Sequence, residues 1–176
     1  MNGIGVTAGL SYDPKVAWNA TDNQYLVVWY GSDPSLGMNH TEYDIWGQRL
    51  TNTGTETGTN DFRITTTGAD NDYYSTSTAP DLVWNSDNNE YLVVYNKNAS
   101  QAVGTEIHGQ RLTNLGVKTG TNDFAISNMG STSSTDYNTY NPAVTYNATN
   151  DQYLVVWDGD DDTAPLINKE SEIFGQ

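Results

Sequence analysis

The stretch Pro14–Trp29, "PKVAWNATDNQYLVVW", returns twice along the chain with few changes. The second copy is "PDLVWNSDNNEYLVVY" from Pro80, and the third is "PAVTYNATNDQYLVVW" from Pro142. The copies start 66 and 62 residues apart. Self-similarity of this kind is the sequence signature of a repeat architecture. The sequence therefore predicts three repeats that form a single domain over residues 1–176.

A second phrase repeats between these copies. "DIWGQRLTNTGTETGTNDF" from Asp44 returns as "EIHGQRLTNLGVKTGTNDF" from Glu106, and the two agree at 14 of 19 positions. The sequence of each repeat indicates four short strands. In chain order, their motifs are Pro-x-Val-x-Trp, Tyr-Leu-Val-Val-Trp, Ile-x-Gly-Gln-Arg-Leu and Asn-Asp-Phe-x-Ile. Turn-forming residues separate the strands, and no window has a helical period.

The second strand of each repeat indicates how the repeats pack. Leu26, Val27, Val28 and Trp29 do not alternate with polar residues, which favours a strand covered on both faces. Four-stranded sheets that pack face to face make a β-propeller. We therefore predict an all-β propeller with blades over about residues 8–65, 74–127 and 136–176. A β-solenoid is the alternative, although its coils are normally shorter than about 45 residues.

The two ends of the sequence match different strands of the repeat. Residues 2–7, "NGIGVT", align with "NDFRIT" at 60–65 and "NDFAIS" at 122–127, so they are predicted to act as the fourth strand of the incomplete third blade. The final "IFGQ" matches the beginning of a third strand. Propellers have about four to eight blades, so three blades cannot close a ring. These features predict a homodimer that closes a six-bladed propeller; the alternative is a fragment of a longer structural surface protein.

The charge of the chain excludes several kinds of partner. Seven Lys and Arg residues stand against 22 Asp and Glu residues, a formal net charge of -15, which disfavours nucleic acid and anionic membranes. No cysteine is present, so disulfides are excluded. No apolar run has the length of a membrane span, and the first ten residues do not read as a signal peptide. The abundance of Asn, Thr, Asp, Gly and Tyr favours a secreted or cell-surface bacterial protein.

The connections between strands have fixed lengths at one end of each repeat and variable lengths at the other, and the variable end is the expected functional end. There, "WDGDDDTAP" places several carboxylates on one loop, a pattern that suits a Ca²⁺ site. The alternative is a solvated acidic loop. The candidate metal ligands are Asp158, Asp160, Asp161 and Asp162.

Two other loops at the variable end combine tyrosine with aspartate. "ADNDYYSTST" and "STDYNTYNP" suit recognition of a polar glycan, because rings stack on sugar CH faces while carboxylates and amides bind hydroxyls. The alternative is that these are ordinary residues of long loops. The candidate ligand-binding residues are Asp70, Asp72, Tyr73, Tyr74, Asp136, Tyr137 and Tyr140.

The innermost strands offer little for catalysis. Lys15 and Asp81 follow the repeat prolines and are predicted to line a central channel. A glycan-active hydrolase would need a pair of carboxylates there, and Asp81 is the only acid at this position. His108 stands where the other repeats have Trp46 and Phe174, which indicates a structural position. No catalytic residue is therefore assigned.

The phrases "NQYLVVW", "DIWGQRL" and "GTNDFRI" resemble an uncharacterised repeat of large secreted or surface proteins of bacteria. The resemblance covers nearly the whole chain and implies a β-propeller, without implying an activity. The sequence therefore predicts a non-catalytic binding or scaffold module that recognises polar glycans or cations through its variable end. A hydrolase that uses channel carboxylates is the alternative.

Overall fold

The computed structural model describes residues 9–67, 74–98, 104–129, 137–161 and 170–176. Apart from one 3-10 turn at Pro34–Leu36, their regular structure is all β-strand. The strands are β1 Leu10–Asn19, β2 Gln24–Ser32, β3 Asp44–Thr51, β4 Glu56–Arg63, β5 Thr76–Asn85, β6 Glu90–Asn98, β7 Glu106–Thr113, β8 Lys118–Ala125, β9 Thr139–Asn147, β10 Gln152–Gly159 and β11 Glu172–Gly175. Within the described ranges, no helix is long and apolar enough to cross a membrane.

The strands form three antiparallel sheets, one from each predicted repeat. The first sheet has the order β1-β2-β3-β4 and the second has the order β5-β6-β7-β8. The third sheet contains β9, β10 and β11 with β10 in the middle. Each strand therefore pairs with its neighbour in sequence, which is the up-and-down arrangement that the repeat predicts.

Successive sheets pack face to face. Leu26, Val28 and Ile45 of the first sheet pack against Leu82 and Val93 of the second. In the next layer, Leu92, Val94 and Ile107 of the second sheet pack with Val155 and Trp157 of the third. Complete burial of each such side chain stabilises the fold by about 1.5–3 kcal/mol. The central strands β2 and β6 are therefore apolar on both faces because each lies between two layers or beneath a covering loop.

A buried glutamine fills a bulge between β3 and β4. Gln48 alone faces residues 58–61 of β4, between the pairs Gly47–Phe62 and Arg49–Thr57. Its Nε2 donates to the carbonyl oxygens of Arg49 at 2.8 Å and Thr57 at 3.2 Å. Its Oε1 accepts from the backbone N–H of Asp61 at 2.8 Å. The side chain thus replaces the backbone hydrogen bonds that the bulge removes.

The bulge explains the recurring phrase Gly-Gln-Arg and a difference from the predicted strand boundary. A Cβ on Gly47 would lie 2.8 Å from the Phe62 ring, so only glycine fits beneath that ring. The fourth strand begins at Glu56, earlier than the predicted Asn-Asp-Phe segment, because the chain bulges over Gln48 instead of forming a loop. Gln110 makes the same three contacts in the second sheet.

Replacing Gln48 with alanine should lower the free energy of unfolding by about 2–4 kcal/mol, because buried backbone groups lose their partners and a cavity opens. Urea denaturation measures the change. Lys118→Ala, on an exposed residue of β8, is the control and should change stability by less than about 0.5 kcal/mol. Equal losses in the two variants would show that Gln48 does not support the bulge.

Candidate functional site

The structure brings one residue from each of two separately predicted clusters together at one end of the third sheet. Antiparallel pairing of β9 with β10 places Tyr140 opposite Asp158. Asn141 Nδ2 donates to Asp158 Oδ1 at 3.0 Å, and the Tyr140 side chain is 47% exposed. An exposed ring therefore lies beside a paired amide and carboxylate. We call Tyr140, Asn141 and Asp158 the rim site.

The backbone around the rim site is set by a bulge that all three sheets share. Asn141 precedes Pro142 and has φ 49°, while Asp13 and Ala79 at the same repeat position have φ 50° and 49°. The strand register shifts at this point in each sheet. The opposite strand, β10, ends at Gly159. A larger residue fits poorly at this position, because its Cβ would lie 3.1 Å from the carbonyl oxygen of Asn138.

Several carboxylates lie next to the rim site. Loss of water contact, together with the negative charges of Asp160, Glu170 and Asp161, raises the pKa of Glu172. Across the described residues, no group of three or more His, Cys, Asp or Glu side chains is arranged to hold a metal ion. Asp162 lies outside the described residues, so the Ca²⁺ site at Asp158, Asp160, Asp161 and Asp162 stays a prediction.

Of the other predicted glycan residues, the described part of the chain includes Tyr74 and Tyr137. Tyr137 is partly buried and packs against the apolar layer between the second and third sheets. Tyr74 is 48% exposed and precedes β5 of the second sheet. Asp70, Asp72, Tyr73 and Asp136 lie outside the described residues.

The two predicted channel residues have structural partners. Lys15 Nζ lies 3.2 Å from Asp13 Oδ1 in an exposed ion pair. Asp81 Oδ2 accepts a hydrogen bond of 2.8 Å from the backbone N–H of Val144 and so joins the second sheet to the third. These contacts tie both side chains to the scaffold.

A recurring carboxylate that was not assigned a role begins the third strand of each sheet. Asp44 is fully buried, pairs with Arg63, and accepts from Thr65 Oγ1 at 2.6 Å and from the Thr67 N–H at 3.1 Å. Glu106 accepts in the same way from Ser127 Oγ and from the Met129 N–H. The recurrence of an acid before Ile-x-Gly-Gln-Arg was the signal for this anchor of the fourth strand.

The second sheet carries a polar cluster where the other sheets have an aromatic pair. In the third sheet, the rings of Trp157 and Phe174 stack with their centroids 6.2 Å apart. In the second sheet, the rings of Tyr95 and His108 stack with their centroids 6.4 Å apart. Tyr95 and Lys97 both contact the Asp123 carboxylate, and His108 Nδ1 lies 2.9 Å from the Asp123 carbonyl oxygen. Burial lowers the pKa of His108, and its hydrogen bond to Asp123 offsets part of that effect. His108 is therefore a packing residue, as its repeat position indicates.

Comparison with solved structures identifies the fold. An α-L-arabinofuranosidase from Lactobacillus brevis matches 99% of this chain over 55% of its own, with TM-score 0.60 and 14% identity. A thermostable family-43 glycoside hydrolase matches 94% over 53% of its own, with TM-score 0.57 and 15% identity. An endo-arabinase from Bacteroides thetaiotaomicron matches 98% over 58% of its own, with TM-score 0.55 and 10% identity.

These neighbours are five-bladed β-propellers, and the chain spans about half the length of each. The likeness confirms a β-propeller-like, all-β fold. No protein-family model matches the chain, and no curated protein matches it in sequence. The resemblance to a bacterial surface-protein repeat, the blade count and the half-propeller therefore stay predictions.

His108 should make stability depend on pH in a defined direction. Its lowered pKa means that the unfolded chain takes up a proton more readily, so its contribution to stability is present above about pH 6.5 and falls below it. We expect the melting temperature of the wild type to fall more between about pH 7.5 and 5.5 than that of His108→Phe, which places the third-sheet aromatic in the second sheet.

The exposed His40 provides the control for this comparison. His40→Gln should keep the pH dependence of the wild type, measured by thermal denaturation in the same buffers. The interpretation is wrong if His108→Phe and the wild type lose stability in parallel.

Proposed function

We propose that this chain is a β-propeller module that binds a polar, uncharged glycan at the rim site. The observation that carries the proposal is an exposed Tyr140 ring beside the Asn141–Asp158 pair, held at 3.0 Å. Carbohydrate rings present apolar CH faces that stack on an aromatic ring. The amide supplies both donors and acceptors for hydroxyls, and the carboxylate supplies acceptors.

The electrostatics of the chain support a neutral ligand. With a formal net charge of -15, the surface disfavours phosphorylated or sulfated polymers and places no such penalty on neutral polysaccharides. A cation at the neighbouring acidic loop remains part of the proposal, since hydroxyl groups and carboxylates are both ligands that Ca²⁺ accepts.

The structural neighbours support the choice of carbohydrate as the ligand class. The matched proteins are named as an arabinofuranosidase, an endo-arabinase and, in another match, an endo-1,4-beta-xylanase. At 10–14% identity these three matches establish the fold alone. They do, however, make arabinan and xylan the first polysaccharides to test.

Tyr140→Ala should weaken binding to the glycan at least tenfold, because the stacking platform is removed, as measured on an array of neutral polysaccharides that includes arabinan and xylan. Tyr146→Ala is the matched control, because Tyr146 lies on the same strand at its opposite end, where its ring contacts Tyr153 at a tilt of 49°. A blank array for the folded wild type, or equal binding by both variants, would contradict the rim site and leave a structural scaffold.

A glycan hydrolase is the second candidate, favoured by the glycan-active enzymes among the structural neighbours. It would use carboxylates around the central channel, with Asp81 as the innermost acid. Binding ranks first because Asp81 Oδ2 already accepts from Val144. Incubation with arabinan and xylan, followed by assay of new reducing ends, separates the two: release that Asp81→Asn abolishes in a folded protein would replace binding with hydrolysis.

A further inference from the structure

The two interfaces between sheets use the same repeat positions. We call the face that a sheet turns to the next sheet its trailing face, and the opposite face its leading face. On the trailing faces, Leu26 and Ile45 of the first sheet are 0% exposed, and Leu92 and Ile107 of the second are 3% and 0% exposed. Both residues of the repeat are therefore buried wherever a following sheet is present.

The trailing face of the third sheet has the same residues and no cover within the described chain. Leu154 is 52% exposed and Ile173 is 77% exposed. A recess beside Leu154 is lined by Thr145, Asn147 and Gln152, on the same open face. Exposed apolar surface of this kind marks an interaction site in a soluble protein.

The leading face of the first sheet is open in the complementary position. Val16 is 61% exposed and Trp18 is 41% exposed, whereas Leu82, which matches Val16 in the second sheet, is 7% exposed. Met38 covers Trp29 and Trp46 of this face and leaves Val16 and Trp18 uncovered. One chain thus carries both halves of an interface of the kind that its own sheets already form twice.

Backbone hydrogen bonds between successive sheets also occur at matching repeat positions. The Ser77 N–H donates to the Tyr43 carbonyl oxygen at 2.7 Å between the first and second sheets. The Thr139 N–H donates to the Thr105 carbonyl oxygen at 3.2 Å between the second and third. The next members of the series are Ser11 at the first sheet and Ser171 at the third, and both are exposed.

We propose that a second copy of this chain packs its first sheet on the trailing face of the third sheet, and that two such contacts close a ring of six sheets. Leu154 and Ile173 then pack against the partner's Val16 and the partner's Trp18, in continuity with the two interfaces inside the chain. Six sheets is one more than the blades of the structural neighbours and lies within the range of about four to eight that propellers adopt.

Glu172, at the start of β11, is a polar group that supports the proposed pairing. Its two carboxylate oxygens are shielded from water and accept no hydrogen bond from another residue of the described chain, unlike Asp44 with Thr65 and Glu106 with Ser127. β11, which begins with Glu172, is an edge strand of the described sheet, so a partner copy can supply the missing hydrogen-bond donor there.

The proposed dimer is compatible with the rim site. Tyr12 matches Tyr140 in the repeat and keeps 41% exposure although the second sheet follows it. Tyr140 therefore stays accessible when a sheet follows the third. Dimerisation and glycan binding are separate proposals, because one is measured as mass and the other as binding.

Light scattering behind a sizing column tests the pairing. We expect twice the 19.3 kDa mass of the chain for the wild type and the mass of one chain for Leu154→Asp. Leu115→Asp, on a 60% exposed leucine of the β7–β8 turn, is the matched control and should remain dimeric. A wild-type mass of one chain would overturn the proposal, and a mass that grows with concentration would overturn closure at two copies.

A disulfide pair tests the geometry without removing an apolar contact. The chain has no cysteine, so the double variant Ser11→Cys, Ser171→Cys should form only the bridge between copies and run as a covalent dimer in non-reducing electrophoresis. The control is Thr105→Cys, Thr139→Cys, whose backbones are already hydrogen bonded, and it should form a bridge within one chain. If the control closes while Ser11 and Ser171 do not, the two faces do not meet.

Discussion

The fold depends on burial of one leucine and one isoleucine per repeat between successive sheets. A four-stranded sheet that is apolar on both faces has no stable position in water unless a second layer covers each face. Leu26 and Ile45 are covered by the second sheet, whose own Leu92 and Ile107 are covered by the third. The same requirement applies to Leu154, and its exposure in the described chain is the basis of the proposed association.

Within each sheet, the bulge over Gln48 or Gln110 determines where the third and fourth strands can meet. The glutamine amide satisfies two carbonyl groups and one N–H that a regular ladder would otherwise have paired. The glycine before it admits the Phe62 or Phe124 ring. The Gly-Gln-Arg phrase is therefore retained for backbone geometry, and its repetition says nothing about catalysis.

The sequence was sufficient to predict the number of repeats, four strands in the first two and the burial of the central strand, because these follow from periodicity and composition. It did not predict that Tyr140 and Asp158 lie side by side, because that contact depends on the register of β9 and β10 after the bulge. The start of β4 was placed too late for the same reason: the predicted strand begins at Asn60, yet β4 begins at Glu56 and its residues 58–61 arch over a buried glutamine. Periodicity identifies strands, whereas register depends on side chains that fill irregular positions.

In each repeat, the residue before the proline has the same backbone conformation and a different side chain. Asp13, Ala79 and Asn141 adopt φ between 49° and 50°, although the left-handed region costs a residue such as alanine about 1–2 kcal/mol. Since Ala79 bears that cost without a compensating side chain, the shared bulge imposes the backbone, and the identity of the residue is free to vary. Of the three, Asn141 extends an amide to a carboxylate on the next strand, beside an exposed ring. A position that is fixed in backbone and variable in side chain is where a repeat can acquire a binding site without disturbing its packing, and that is the physical basis for placing the site on the third sheet.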